Sequence, residues 1–364
     1  AFGKVKLAVV YQFLIGTICS IVWYKTLINF KFSAKQSLYG AIFLQSFLNV
    51  FFYETAILLE SLSLFCVSVV IYYITRPKYK NGGTIKHELV LGLILGFLVL
   101  IKPFFAYIPF LIYGLFTLKE FRVNRLISKK LILLVFPLVV YFGWSYINKL
   151  NTGYFVSTTF LGLNLAQNCV YFAEKAPEEY QWIGKPYAKY RDKTIAEERD
   201  VAMSIWNAYG EGKAFDHYNL SFEELSHEFG EFAKATIAAN PKDYIKQVVL
   251  RSGFDFWKPS IDWNQDNFRF NSAFQIFSTI WAIQQVILIG ITIAFICISV
   301  IIVFRSFKKR EIDMTVILIS FVLTPAILQA LVTYGTNSRY SYPFDFIMVF
   351  VLLLFLKENN IWYK

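Results

Sequence analysis

Residues 274–304 read FQIFSTIWAIQQVILIGITIAFICISVIIVF, an apolar run without a charged side chain. A bilayer core about 30 Å thick is crossed by about 20 largely apolar helical residues, so this run is long enough to span it. Similar runs recur on both sides. The chain has 364 residues, 56% of them hydrophobic and 17% charged, with a mean hydropathy of +0.48, which is too apolar for a water-soluble domain of this size. The alternating pattern of a membrane barrel is missing, and helices remain as the way to satisfy the backbone in lipid.

Apolar elements are expected at 7–29, 37–53, 57–75, 88–101, 103–118, 131–150, 274–304, 314–333 and 343–357, an all-α polytopic membrane protein of about nine spans. The fourth and fifth meet at Lys102-Pro103, where proline opposes a continuous helix, and they read as a hairpin. The expected organisation is an N-terminal bundle at 1–150, a polar helical insert at 151–271 and C-terminal helices at 272–364.

The net charge of +11 comes from short basic clusters at the ends of apolar runs, which points to topology rather than to nucleic acid. Arg76, Lys78, Lys80 and Lys86 form one cluster, Lys119, Arg122, Arg125, Lys129 and Lys130 a second, and Arg305, Lys308, Lys309 and Arg310 a third. By the positive-inside rule these connections are cytoplasmic. Glu54, Glu60, Lys102, the insert and Arg339 then gather on the external or lumenal face, in a multi-pass protein of a bacterial inner membrane or the endoplasmic reticulum. The same parity places residue 1 outside and asks for one further span upstream. The four cysteines suggest no disulfide framework.

Inside the insert, Thr194 with Glu197 and Ser221 with Glu224 have capping-box spacing ahead of helices expected at 195–209 and 222–238. Asn240-Pro241 ends one helix and begins another, with Asn240 as the expected N-cap. The segment that follows carries Tyr244, Ile245, Val248, Val249, Phe254, Phe256 and Trp257 beside Lys242, Lys246 and Arg251. Such a face either packs on the other insert helices or lies along the lipid interface.

No phosphate loop, dinucleotide fingerprint or metal-spaced Cys/His set is present in the sequence, and the three histidines are scattered. Ionisable residues at the outer ends of apolar runs say more. Glu60 is costly in lipid unless it faces a cavity or a cation, or anchors a helix end at the headgroups. Glu54 is expected in the turn before it. Lys102 either snorkels or binds a ligand. Arg339, alone in a hydroxyl-rich loop next to Tyr340, presents a fork suited to phosphate, or anchors the interface. The stretch from Gly153 to Leu165 is expected to form a backbone turn that brings the Asn164 amide to a bound polar group.

The order of these features resembles the C-type glycosyltransferases, in the branch of protein O-mannosyltransferases and lipid A aminoarabinose transferases. Its carriers are Glu60-Ser61-Leu62, Lys102-Pro103 with Pro109, Gly162 to Leu165, Asn240 to Tyr244 leading to Phe256-Trp257, and Arg339 to Pro343. The resemblance implies sugar transfer from a polyprenyl-phosphate donor to a glycan, lipid or protein acceptor at the external face, with no cofactor. It implies that Arg339 and Lys102 hold the donor phosphate, that Glu60 supports the site, with Glu54 a possible acid, and that Asn164 and Tyr340 contact substrate. The family's catalytic Asp lies in a first external loop with no counterpart in this sequence, and the insert becomes a lid over the site. A transporter or flippase of lipid-linked glycans, with interrupted helices and inverted repeats, is the alternative, and a non-catalytic scaffold is a third.

Overall fold

The computed structural model describes residues 5–80, 82–119, 128–335 and 338–359. Among these residues the chain is 82% helical and contains no strand. Five helical stretches are long and apolar enough to cross a membrane, and a sixth span results if one bent pair is counted as a single crossing. The count of nine is not confirmed: others of the expected runs form shorter helices, such as Ile85–Ile101 with 17 residues. Arg122 and Arg125 of the second basic cluster, and Thr336-Asn337 of the Arg339 loop, lie outside the described residues.

The chain divides into two compact units, one of residues 1–143, 259–323 and 341–364, the other of residues 144–258 and 324–340. In the first, α1 (Val5–Asn29) is followed by α2 (Ala34–Gln45), α3 (Leu48–Thr55) and α4 (Glu60–Thr75). The run expected as one span at 37–53 is broken at Ser46-Phe47. Ser46 Oγ donates to the Phe43 carbonyl (2.7 Å) at the end of α2, and Phe47 is extended. Neither proline nor glycine marks this break. A second break bends α3 against α4 by 119°. The exposed carbonyls of that elbow are satisfied from α1, where Gln12 Nε2 donates to Ala56 (2.8 Å), Leu58 (3.1 Å) and Tyr53 (3.3 Å). A bend costs little when its freed acceptors find a donor.

Helix α1 packs on α4 through the buried bond from Trp23 Nε1 to Ser68 Oγ (2.9 Å). Then come α5 (Ile85–Ile101), a 3-10 turn at Pro103–Ala106, α6 (Tyr107–Lys119) and α7 (Ile132–Thr152). Gly92 and Gly96 of α5, one turn apart, let the backbone of α7 approach: an added Cβ would lie 3.2 Å from the Leu133 carbonyl oxygen and from Phe136 Cβ, respectively. Small residues at this spacing permit close helix crossings where lipid offers no hydrophobic drive. After the insert, α8 to α12, come α13 (Asn271–Lys309), α14 (Met314–Val332) and α15 (Asp345–Glu358). At 39 residues, α13 is about 58 Å long, so it tilts or projects beyond the hydrocarbon. The large apolar side chains exposed on α1, α7 and α13, such as Leu14, Val139 and Val286, form the surface a bilayer covers.

The second unit is built from α8 (Leu161–Gln167), α9 (Gln181–Ala196), α10 (Ser204–Gly210), α11 (Phe222–Ala239) and α12 (Pro241–Gln247), with the ends of α7 and α14. Its core joins Leu163, Phe172, Tyr187, Ile205, Phe229 and Phe232. The Ser221 box forms as expected: Ser221 Oγ accepts from Glu224 N (3.3 Å) and Glu224 Oε2 from Ser221 N (2.8 Å). These bonds hold the Glu224 carboxyl below the usual carboxylate range. The contribution is therefore complete above the unfolded-state pKa and lost as pH falls through the folded one. Ser221→Ala is expected to lower the stability of this unit by about 1 kcal/mol, read by thermal melts of the full chain, with the wild-type advantage shrinking in acid.

Thr194 is not an N-cap. It lies in the last turn of α9, buried, with Oγ1 donating to the Tyr190 carbonyl (2.7 Å), and Asp200 caps the next turn by accepting from Ala202 N (3.0 Å). The helix expected at 195–209 is thus the end of α9, a 3-10 turn and α10. Asn240 does mark a boundary, yet its side chain reaches backward, donating to the carbonyls of Thr236 (3.0 Å) and Lys175 (3.1 Å) instead of capping α12.

Candidate functional site

In the first unit Glu60 opens α4, and Lys102 stands between α5 and the Pro103 turn. Pro103 forces Lys102 into an extended conformation, which turns the chain at this corner. The two side chains meet: Lys102 Nζ donates to Glu60 Oε1 at 2.8 Å, with Glu60 0% and Lys102 17% exposed. The cation that Glu60 needs in an apolar setting is therefore supplied from 42 residues away. Ser61, next in the motif, donates its hydroxyl to the Tyr53 carbonyl (2.8 Å) and ties α4 to the end of α3.

Glu54 is not in a turn. It sits in the last turn of α3, buried, and its Oε1 accepts from Gln45 Nε2 (3.0 Å), whose Oε1 in turn accepts from Ser20 Oγ (2.7 Å). Gly16 makes room for it: a Cβ there would fall 1.6 Å from Glu54 Oε1. A groove of about 790 Å³ opens beside this chain of polar groups, between α1 and α2, walled by Ile21, Leu38 and Ile42 and floored by Ser20 and Gln45.

A further carboxylate of this unit was not singled out from the sequence. Asp345 Oδ2 accepts from Asn49 Nδ2 (3.4 Å), and both line a cavity of about 30 Å³ with Tyr342, enough for a water molecule. Its signal was in the sequence, as polar residues inside the apolar runs 37–53 and 343–357.

Arg339 and Tyr340 belong to the second unit, in the short helix Ser338–Ser341, with Arg339 exposed and Tyr340 half-buried. Just before it, Gly335 (φ +143°) occupies a backbone region that L side chains rarely adopt, and its N donates to Asp255 Oδ2 (3.1 Å). Asp255 is buried and pushed above the usual carboxylate range, chiefly by that burial, against the opposing effect of Lys258 at 2.9 Å. Tyr334 is likewise raised, first by burial and then by Tyr171 and Asp255. A chain of buried amides completes this end of the unit: Ser252 Oγ donates to Asn168 Oδ1 (2.6 Å), Asn168 Nδ2 to the Ala330 carbonyl (3.2 Å), and Thr333 Oγ1 to Gln167 Oε1 (2.8 Å).

Asn164 is on helix α8, half-buried, with its N–H spent on the Phe160 carbonyl (3.0 Å). The turns of this stretch lie before it, at Gly153 (φ +83°) and at Thr159-Phe160, and Gly162 serves a helix crossing: an added Cβ would lie 1.7 Å from the Ser226 carbonyl oxygen of α11. The structure thus brings Glu60 to Lys102, and places Glu54 in a separate cluster with Gln45 and Ser20. Among the described residues no group of three or more His, Cys, Asp or Glu is placed to hold a metal ion. Comparison of the chain with protein-family models, with curated proteins and with solved structures finds no match.

Proposed function

We propose that this chain is a membrane glycosyltransferase that moves a sugar from a polyprenyl-phosphate donor to a glycan, lipid or protein acceptor on the external or lumenal face. The observation that carries the reading is the Glu60–Lys102 pair: a carboxylate sealed from solvent fixes a partly accessible ammonium at the corner of two apolar helices. Transfer from a lipid-linked sugar leaves a phosphate monoester anion at the membrane, and a cation whose geometry is already set stabilises that charge without reorganisation. In the second unit, Arg339 is in its own right a guanidinium suited to phosphate. The groove between α1 and α2 has the apolar character an isoprenoid chain requires. Glu60 is the supporting acid of the site and Glu54 a possible one, and Asn164 and Tyr340 contribute to substrate binding. No cofactor is required.

One observation favours the transporter reading, the 119° break between α3 and α4, since discontinuous helices line many transport sites. Three carbonyls of the elbow, those of Tyr53, Ala56 and Leu58, already accept from Gln12, which leaves fewer oxygens to ligate a transported ion.

The test is release of polyprenyl monophosphate from polyprenyl-phosphate sugars by the full-length protein in vesicles. Release that depends on an acceptor is expected, and Arg339→Ala is expected to reduce it about tenfold or more, the worth of one charge-assisted bond to phosphate. Movement of intact donor across the bilayer without release would establish the transporter instead.

A further inference from the structure

We infer that the segment 241–257 is an interfacial helix whose outer face inserts into the headgroup and upper acyl region of an anionic bilayer. Pro241–Gln247 continues through a π-turn at Val248–Ser252 into Gly253–Asp255, forming one nearly continuous rod. One side of the rod is spent on the unit's own interior. Gln247, Ser252 and Phe256 are fully buried there, and Ser252 and Gln247 join the amide chain that runs to Asn168.

The other side carries Ile245, Val249, Leu250 and Phe254, each 57–60% exposed. The π-turn adds a residue to the turn between Val249 and Phe254, which swings Phe254 back toward the face of Ile245. Four large apolar side chains on one short helix are a costly surface in water, of the kind that marks a lipid or protein contact.

The position of the rod identifies lipid as the occupant. Tyr244 Oη donates to the carbonyl of Leu331 (2.7 Å), in the last turn of the membrane-crossing helix α14, and Asp255 accepts from Gly335 just beyond it. Both ends of the rod are therefore pinned at the level where a span leaves the hydrocarbon. Lys242 and Lys246, both exposed, sit beside Ile245, and the nearby Asp243 is neutralised by Lys175 at 2.7 Å. The net charge along the face is positive, the complement of anionic headgroups. Insertion would also buttress the amide chain on the inner side of the same rod, since Gln247 and Ser252 share its backbone.

The inference is independent of the reaction proposed above. It is tested with the full-length protein, Cys297 replaced by serine, carrying a nitroxide at Ile245→Cys, Val249→Cys, Phe254→Cys or, as the headgroup-side reference, Lys242→Cys, in vesicles of phosphatidylcholine and phosphatidylglycerol. Collisions with lipid-soluble oxygen are expected to exceed those with a water-soluble nickel chelate at 245, 249 and 254, and the order to reverse at 242. A nickel excess at 249 and 254 would place the face in water, and negligible collision with either reagent would mean that protein covers it. Either result overturns the inference. The labelled positions are exposed, so the substitutions leave the buried core intact.

Discussion

Lys102→Met is expected to destabilise the protein by about 3 kcal/mol and to abolish sugar transfer. Glu60 is sealed from solvent, and its ammonium partner at 2.8 Å supplies the compensating charge. The substitution removes the ion pair at 2.8 Å from a buried carboxylate, and breaking a buried pair costs far more than the pair contributes net. The melting temperature of the detergent-solubilised protein reads the first effect. A double variant, Glu60→Gln with Lys102→Met, is expected to recover most of the lost stability, because the buried carboxylate charge is removed together with its ammonium. It is not expected to recover transfer, because the cation proposed to hold the donor phosphate is still gone. Recovery of both would reduce the pair to a structural contact.

Gly162→Ala is expected to cost a similar amount, about 3 kcal/mol, by parting α8 from α11. The added Cβ falls 1.7 Å from the Ser226 carbonyl oxygen and 2.8 Å from the Gly230 nitrogen. Both obstacles are backbone, so no side-chain rotation relieves them. Gly210→Ala is the control, since nothing lies within 4 Å of its added Cβ, and it is expected to leave the melt unchanged or slightly raised. Proteolysis within 151–258 that increases in Gly162→Ala alone would locate the damage in the second unit.

The long apolar runs were legible because length and composition alone decide them: 274–304 and 314–333 became α13 and α14 with small changes at the ends. The break at Ser46-Phe47 was not, since the sequence there lacks proline or glycine. The α3–α4 elbow falls close to the boundary expected between the runs 37–53 and 57–75, but its 119° bend depends on Gln12, a donor from another helix. Helix α9 was hidden for the opposite reason: Pro186 and Gly184 lie inside it and read locally as breakers, while Gly184 serves a close approach to the Ala173 carbonyl. Thr194 misled because its spacing to Glu197 satisfied a local rule while its hydroxyl bonded backward to Tyr190.

At the candidate site, chemistry was legible and pairing was not. Glu60 in an apolar run pointed to a cavity, a cation or a headgroup anchor, and Lys102 was singled out separately, but nothing local links positions 42 residues apart. Glu54 was assigned to a turn from its place between two apolar runs. Its burial beside Gln45 depends on the missing side chain of Gly16, a contact between helices that periodicity does not carry.

The proposed chemistry rests on recognition of a lipid phosphate, which binding reads without knowledge of the sugar. Purified full-length protein in nanodiscs, titrated with a polyprenyl monophosphate and with the corresponding polyprenol, is expected to bind the phosphate about tenfold or more tightly, as one charge-assisted contact supplies. That preference is expected to fall in Arg339→Ala and in the Glu60→Gln, Lys102→Met double variant. Equal affinity for phosphate and alcohol, or a preference unchanged in both variants, would contradict recognition of the donor phosphate by these residues.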